Sequence, residues 1–381
     1  MYLTKEEERL LSGEEGPAVA RAMEVLVKVG EAMGAERLVP IKHAHVSGVS
    51  IFNIGSYGLE FLESMLSLGA RVRVFTTANP ASMLINHRYS RHALAEAQQR
   101  VVRALISMGV DSRSFTCLPY RVRAPKRGEH LGWAESSAVI VANSVFGAKT
   151  NREGGPIALM EAIAGYAPAY GMHIDENRAP TEVIRVRVEA HSIIDWSLIG
   201  LKIGEVTKGI PAIVFDSSRP RSLLDIKNLL ASIASTSDSP MAFLEGITPE
   251  RIDYESIGLE RIEIDHVEIK QCAESIDALV MGCPHLEEDE VNGMLLRLLA
   301  MHSISFNKVI IAVPTDFKLS RVKEVLSRLR QRGIEIEIVF GACPVVTKLS
   351  ELGLESVGTP HGKALHYLPR LAGVRVCPVR L

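Results

Sequence analysis

Three of the five cysteines occur in the same local setting, at the end of a short strand-like segment and just before a proline. A proline follows Cys283 and Cys343 directly, and Leu118-Pro119 follows Cys117. Open α/β sheets form their sites at the carboxyl ends of strands. Thiolates bind zinc and iron–sulfur clusters in preference to magnesium or calcium. The shared pattern therefore indicates one metal site held by three thiolates.

A second interpretation stays open, because free cysteines are often buried and mostly pack as small apolar side chains. The three cysteines lie far apart in the sequence and fit no local ligand motif. Cys272 begins a predicted helix and is interpreted as structural, and Cys377 lies close to the chain end. If the metal is an iron–sulfur cubane, three thiolates leave one iron without a protein ligand. That iron can polarise a substrate hydroxyl or carboxylate as a Lewis acid.

The segment from 128 to 180 is rich in small and polar residues set among apolar ones. Buried polar groups cost stability unless they are hydrogen-bonded, so such a stretch is typical of a binding site. Arg152 is the first candidate for substrate binding, because a guanidinium is the planar partner of carboxylate and phosphate. The other candidates in the segment have side chains that hydrogen-bond: Glu135, Ser136, Ser137, Asn143 and Asn151.

Each of these candidates also has a structural interpretation. Arg152 fits a surface ion pair with Glu153 or Glu161, which would contribute little stability. The other side chains fit helix caps or hydrogen-bonded core groups. Gly154-Gly155-Pro156 leads into a predicted helix, and the free N–H groups at such a helix start offer an anion site.

Three more candidates lie beside a predicted strand or cysteine. His45 and Ser47 follow the first strand and are expected to face the same cleft, although a single histidine there also fits a structural role. His285 follows Cys283 closely, and we expect it either to hydrogen-bond a cluster or substrate or to begin a helix.

The order of the predicted elements indicates the fold class. Strands alternate with helices, which predicts an α/β protein whose parallel or mixed sheets are covered by helices. We expect two or three domains, with these bounds and contents: residues 1–205 with Cys117 and the 128–180 segment, residues 206–262, and residues 263–381 with Cys283 and Cys343.

Composition limits the classes of partner. The chain has 381 residues, and 43 lysines and arginines against 45 aspartates and glutamates give a net charge of −2. Nucleic-acid-binding proteins usually carry a basic surplus, which this chain lacks. No apolar run approaches the roughly 18 residues of a membrane span, and the first residues lack the apolar region of a signal peptide. We therefore expect a cytoplasmic protein that binds neither nucleic acid nor membrane.

Several longer motifs resemble the aconitase X family, and the resemblance covers nearly the whole chain. The motifs are, in chain order, Tyr2-Leu3-Thr4, Leu11-Ser12-Gly13, Glu129-His130, Trp133-Ala134-Glu135-Ser136-Ser137, the block 142–155, Glu176-Asn177-Arg178 and Gly282-Cys283-Pro284-His285. The stretch 129–155 is long and unusual, and it carries most of the resemblance.

Membership of this family implies an aconitase-like fold and an iron–sulfur hydro-lyase, with a large part that holds the cluster and a small swivel domain. The cluster is expected to be [4Fe–4S] with one open iron, held by Cys117, Cys283 and Cys343. The chain ends soon after Cys377 without a swivel domain. We therefore expect a large subunit that is active with a small swivel-domain subunit, on which a serine is the expected general base.

The implied substrate is a phosphorylated hydroxy-acid. The expected reaction is dehydration of (R)-5-phosphomevalonate to trans-anhydromevalonate 5-phosphate, a step of the archaeal mevalonate pathway of isoprenoid biosynthesis. The alternatives are a subunit of a cis-3-hydroxy-L-proline dehydratase and a non-catalytic metal-binding scaffold protein. Residues 359–367 depart from the family, because Thr359-Pro360-His361-Gly362-Lys363 stands where many relatives have Thr-Asp-Ser-x-Lys. This departure argues against a proline-type substrate and leaves the role of the loop open.

Overall fold

The computed structural model describes residues 1–251, 258–268, 275–301, 304 and 306–381. Three regions follow one another along the chain, and each contains strands covered by helices, which confirms the predicted α/β class. None of the helices in these residues is long and apolar enough to cross a bilayer. Cys272, which we interpret as structural, lies outside the described residues.

The first region combines a parallel sheet in the order β3-β2-β4 with an antiparallel pair formed by β1 and β5. Its strands are β1 (Leu38–Pro40), β2 (His43–Val46), β3 (Phe75–Ala78), β4 (Gly132–Trp133) and β5 (Tyr166–Pro168). Its helices are α1 (Lys5–Ser12), α2 (Pro17–Ala32), α3 (Ile51–Ser67), α4 (Ala95–Ser107), α5 (Pro119–Val122), α6 (Ser136–Val145) and α7 (Gly155–Ala164).

Helices α6 and α7 lie in the interior, because their sequences are apolar on almost every side. Residues 137–144 of α6 and residues 158–164 of α7 are all buried. A helix that is hydrophobic all round is a core helix. Helix α6 shares a core with the helices of the second region, so the polar side chains of this segment need internal partners.

The second region is a parallel four-stranded sheet in the order β8-β7-β6-β9. Its elements are β6 (Glu182–Val186), α8 (Ile193–Val206), β7 (Pro211–Phe215), α9 (Leu223–Thr236), β8 (Phe243–Leu244) and β9 (Glu260–Ile264). The predicted boundary at 205/206 falls at the end of α8, and the one at 262/263 falls inside β9. The division into domains stays a prediction, because a sequence pattern shows strands without showing which of them pair.

The third region is a parallel five-stranded sheet in the order β12-β11-β10-β13-β14. Its elements are β10 (Ala278–Met281), α10 (Glu288–Ala300), β11 (Lys308–Val313), α11 (Lys323–Gln331), β12 (Glu335–Phe340), β13 (Ser356–Thr359), α12 (Gly362–Tyr367) and β14 (Arg375–Pro378). Strand order reverses at β10, between β11 and β13, and such switch points open a crevice at the carboxyl ends of the strands. Cys283 follows β10 at this crevice.

Close packing of α8 against α9 gives a test of the fold. A Cβ placed on Gly200 of α8 would overlap the carbonyl oxygen of Leu229 in α9. We predict that Gly200→Ala lowers the free energy of unfolding by about 1–3 kcal/mol, because the two helices have to move apart. Urea denaturation measures the change.

Gly293→Ala in α10 is the matched control, since nothing lies within 4 Å of the Cβ that it adds. This variant is expected to gain about 0.5–1 kcal/mol of stability, because alanine loses less backbone entropy than glycine on folding. Equal effects of the two substitutions would contradict the helix packing described here.

Candidate active site

Three free thiols come together where the first and third regions meet. They belong to Cys117, Cys283 and Cys343. Burial raises the pKa of the Cys117 thiol to about 12 and the pKa of Cys283 well above its usual value. Cys343 adds to the rise in pKa of both thiols, and Cys117 adds to the rise in pKa of Cys283. The three sulfurs are therefore close enough for the charge of one to affect the others. The structure thus brings the predicted trio together, and their role as ligands stays a prediction.

The elements before the three thiols differ from the predicted pattern in one case. Cys283 and Cys343 follow β10 and β12 as predicted. The stretch before Cys117 forms no strand, and Phe115 makes only a single bridge to Ala78. Cys377 lies on β14 and is disulfide-bonded, which separates it from the free thiols.

His285 connects the loops that carry the thiols. Its backbone N–H donates to Cys117 Sγ over 3.2 Å, and its ring nitrogens lie 3.2 Å from Thr116 Oγ1 and 3.1 Å from the carbonyl oxygen of Ala342. A carbonyl oxygen only accepts, so Nε2 carries the hydrogen and Nδ1 accepts from Thr116. Burial lowers the pKa of His285 to about 3, which keeps the ring neutral. The ring's contacts connect two loops, which is neither of the two predicted roles, and the nearby helix α10 begins only at Glu288.

Side chains of helix α9, in the second region, help to hold the Cys283 loop in place. Lys227 of α9 donates to the carbonyl oxygen of His285 over 2.9 Å. Gly282 N–H donates to His361 Nε2 over 3.1 Å, and the other ring nitrogen of His361 lies 2.7 Å from Asn228 Oδ1. His361 is one of the residues that depart from the family pattern, and in this structure it fastens the backbone next to Cys283.

A cleft of about 610 Å³ lies next to the loop that follows Cys343, and none of the three cysteines lines it. Four of the predicted substrate contacts line it, namely Ser47, Glu135, Ser136 and Arg152. The cleft is also lined by Asn79, Glu153, Lys363 and the two valines that follow Cys343-Pro344. The predicted contacts that come from separate parts of the first region therefore meet at one opening.

Lys363 of α12 and Glu135 form a buried ion pair at the cleft. The ammonium also donates to Ser136 Oγ and Ser137 Oγ, each at 3.2 Å, and Asn79 Nδ2 donates to Glu135 Oε2 over 2.7 Å. Burial opposes both charges, but Lys363 lowers the pKa of Glu135, and Glu135 raises the pKa of Lys363. Both groups are therefore held in their charged forms.

Lys363 links the cleft to the thiols, and the sequence analysis did not assign it to the site. Its charge lowers the pKa of each of the three thiols. The available signal was the 359–367 stretch, in which the lysine of the family pattern is retained.

His45 does not line the cleft but holds a residue that does. Its ring nitrogens lie 2.7 Å from Thr77 Oγ1 and 2.8 Å from Asn79 Oδ1. The amide oxygen accepts, so the histidine donates to it and turns the amide nitrogen toward Glu135. Burial lowers the pKa of His45 to about 4, and the ring is neutral at physiological pH.

Asn143 and Asn151, both predicted as substrate contacts, are used inside the protein. Asn143 accepts the Thr150 N–H over 3.1 Å and donates to two carbonyl oxygens. Asn151 accepts the Met172 N–H over 2.8 Å and donates to the Tyr170 carbonyl oxygen over 3.2 Å. Neither lines the cleft, because buried amides take internal partners of this kind.

Arg152 reaches the cleft from the loop before α7. It donates to the Ser237 carbonyl oxygen over 2.8 Å and lies 4.0 Å from the Asp238 carboxylate. The ion pairs with Glu153 or Glu161 that its alternative interpretation would require are not formed among the described residues. Its guanidinium keeps further donors for an anion in the cleft.

The thiol trio fits an iron–sulfur cluster by its donor set. Among the described residues, no group of three or more His, Cys, Asp or Glu side chains is arranged to hold a single metal ion. A cubane instead takes each thiolate on a different iron. Backbone N–H groups point at two of the sulfurs, from His285 to Cys117 and from Val345 and Val346 to Cys343. Hydrogen bonds to sulfur are a feature of such clusters.

The buried ion pair gives a testable prediction. Glu135→Gln leaves Lys363 charged and unpaired, and we expect it to lower the free energy of unfolding by about 3–5 kcal/mol. The double variant Glu135→Gln/Lys363→Met removes that unpaired charge and should recover most of the loss. Urea denaturation at pH 7 measures all variants. Glu24→Gln, which removes exposed pairs with Arg21 and Lys28, is the control and should have a much smaller effect; a similar loss at both glutamates would contradict the buried pair.

Comparisons with known proteins cover the whole chain. Family models described as the aconitase X first, second and third domains match residues 1–176, 180–274 and 276–381. The phosphomevalonate dehydratase large subunit of Aeropyrum pernix is 37% identical over 404 residues, with 99% of this chain and 97% of that protein covered. The one from Thermococcus kodakarensis is 41% identical over 308 residues, with 78% of each covered.

Two further comparisons extend to substrate class and fold. A cis-3-hydroxy-L-proline dehydratase of Pseudomonas aeruginosa is 31% identical over 395 residues, with 97% of this chain and 67% of that protein covered. A crystal structure of Thermococcus kodakaraensis aconitase X in its holo-form has a TM-score of 0.86 at 35% identity, covering 99% of this chain and 97% of that one. The relatives named large subunits imply a smaller partner, and all the named relatives are dehydratases. The chain belongs to the aconitase X family of hydro-lyases.

Proposed function

We propose that this chain is the large, cluster-bearing subunit of a phosphomevalonate dehydratase, which converts (R)-5-phosphomevalonate to trans-anhydromevalonate 5-phosphate. The observation that supports the proposal is a cleft lined by the cations of Lys363 and Arg152, of which Lys363 also acts by its charge on all three free thiols. Large subunits of this name are among the relatives with 41% and 37% identity.

Cys117, Cys283 and Cys343 would hold a [4Fe–4S] cluster, for which their convergence and their N–H donors provide support. When bound, a cluster with one open iron supplies a Lewis acid for the hydroxyl and carboxylate of the substrate. The protein's own contribution is to fix the thiols and to place charged groups around the substrate.

The substrate carries a carboxylate and a phosphate, and two cations line the cleft. Lys363 lies toward the thiols and binds the carboxylate. Arg152 lies beside Gly154 at the start of α7, where a guanidinium and helix N–H groups suit the phosphate. Glu135 keeps Lys363 in place and does not compete as a base, since its carboxylate is already engaged.

The general base is proposed to be a serine of the small swivel-domain subunit. It has to take a proton from the carbon beside the carboxylate, within hydrogen-bonding reach. The large subunit alone is therefore expected to hold the cluster and to show little or no turnover.

Co-expression with the small subunit tests the proposed function. The anaerobic pair is assayed with (R)-5-phosphomevalonate and with cis-3-hydroxy-L-proline, and we expect dehydration of the first. Dehydration of the second alone would favour the alternative supported by the 31% identical relative. Alanine at Cys117, Cys283 or Cys343 should abolish bound iron and sulfide, whereas Cys377→Ala should retain both. A colourless zinc protein, or equal effects of all four substitutions, would contradict the proposal.

Arg152→Gln tests the phosphate site. Loss of charge-assisted hydrogen bonds worth about 1.5–3 kcal/mol should raise KM for (R)-5-phosphomevalonate by about 10- to 100-fold. Iron content should be unchanged, because Arg152 contacts no thiol loop. Arg113→Gln is the control, since the Arg113 side chain is 84% exposed. An unchanged KM in the Arg152 variant would remove this residue from the substrate site.

A further inference from the structure

Two carboxyl groups line the cleft in opposite electrostatic settings. Glu135 is paired with Lys363 and stays ionised. Glu153 is only 7% exposed, and its polar contacts are the neutral side chains of Tyr170 and Asn151, with no cation among the described residues contributing. A buried carboxyl without a cation favours its protonated form.

Glu153 is held rigidly by its surroundings. Its backbone N–H donates to the Trp133 carbonyl oxygen over 3.3 Å, and the Tyr170 hydroxyl donates to Glu153 Oε1 over 2.9 Å. Asn151, through its bonds to the Tyr170 carbonyl oxygen and the Met172 N–H, fixes the loop that carries this hydroxyl. The side chains around Glu153 thus position it at the cleft wall.

A second glutamate lies behind Glu153. Glu161 of α7 is fully buried, and neither of its carboxyl oxygens has a hydrogen-bond partner. Burial raises the pKa of Glu161 well above its usual value, and Glu153 adds to the shift. Burial also raises the pKa of Glu153, against the opposing effect of Tyr170. Burial thus shifts both carboxyl groups toward their protonated forms, and Glu153 is the one of the two that lines the cleft.

We propose that Glu153 is the catalytic acid that protonates the leaving hydroxyl group. This inference rests on the proposed function. In the reaction the bond between carbon and the abstracted hydrogen breaks, its electron pair forms the double bond, and the bond from carbon to the hydroxyl oxygen breaks. The Glu153 proton moves to that oxygen to give water, and Glu153 is left as a carboxylate that solvent in the cleft reprotonates.

The test compares two leaving groups in the co-expressed pair. Glu153→Gln should lower kcat for dehydration of (R)-5-phosphomevalonate by about 10²–10⁴-fold, the usual contribution of a general acid, with iron and sulfide content unchanged. The analogue with fluorine in place of the 3-hydroxyl should lose fluoride at the wild-type rate, because fluoride leaves without a proton. Glu31→Gln is the control, since the Glu31 side chain is 57% exposed.

The pH profile gives a second readout that a structural role would not move. Activity should fall as pH rises through the pKa of Glu153, and this limb should be lost in Glu153→Gln. In Tyr170→Phe it should move to higher pH, because the Tyr170 hydroxyl stabilises the carboxylate. Among the described residues, the other charged or titratable side chains around this position are Tyr170, Glu161 behind it, and those that line the same cleft, namely Glu135, Arg152, Asp238, Lys363 and Tyr367.

The outcomes separate this inference from the proposed function. Dehydration retained by Glu153→Gln, or equal loss with both leaving groups while iron is retained, would overturn the acid role alone. No dehydration of phosphomevalonate by the wild-type pair would overturn the proposed function and the acid role with it.

Discussion

The buried His285 fixes the positions of the cysteine loops relative to each other. Its N–H reaches the sulfur of Cys117, one ring nitrogen binds Thr116 and the other binds the carbonyl of Ala342, next to Cys343. Thr116 and Ala342 are buried, and leaving such a group unpaired costs about 1–3 kcal/mol. The first and third regions are therefore joined near the thiols. The backbone bridge between Ala81 and Ala342 adds a second connection between the same two regions.

The charged groups around the thiols and the cleft fall into two sets, one suited to binding and the other to proton transfer. The pair of Glu135 and Lys363 leaves a fixed cation between cleft and thiols, and Arg152 adds a second cation from another loop. Glu153 has no such partner among the described residues, and burial raises its pKa. The proposed substrate is a hydroxy-acid with charge at both ends, which the two cations complement, and the proposed proton transfer to its hydroxyl group falls to Glu153.

Much of this site could be predicted from the sequence, because the carboxyl ends of neighbouring parallel strands meet at one edge of a sheet. The prolines after Cys283 and Cys343 therefore indicated where strands end. Arg152, singled out because it is an arginine in a polar segment, lines the cleft. The role of Lys363 was not predictable from local pattern, since its partner Glu135 is 228 residues away. The internal partners of Asn151 could not be predicted for a related reason, because a polar residue type does not show whether the side chain contacts a substrate or a backbone carbonyl. The pairing of β6 with β9, which lie on different sides of the predicted division at 205/206, could not be predicted either, because a sequence pattern does not show which strands pair.

The central claim is that three thiolates hold a cluster with one iron open to the substrate. Mössbauer spectroscopy of the anaerobic protein pair, enriched in the Mössbauer isotope of iron, tests it most directly, with spectra recorded before and after addition of (R)-5-phosphomevalonate. The account predicts a four-iron cluster in which one iron site changes on addition of the substrate while the others stay the same. A protein without a cluster, or a cluster whose iron sites are all unaffected by the substrate, would contradict it.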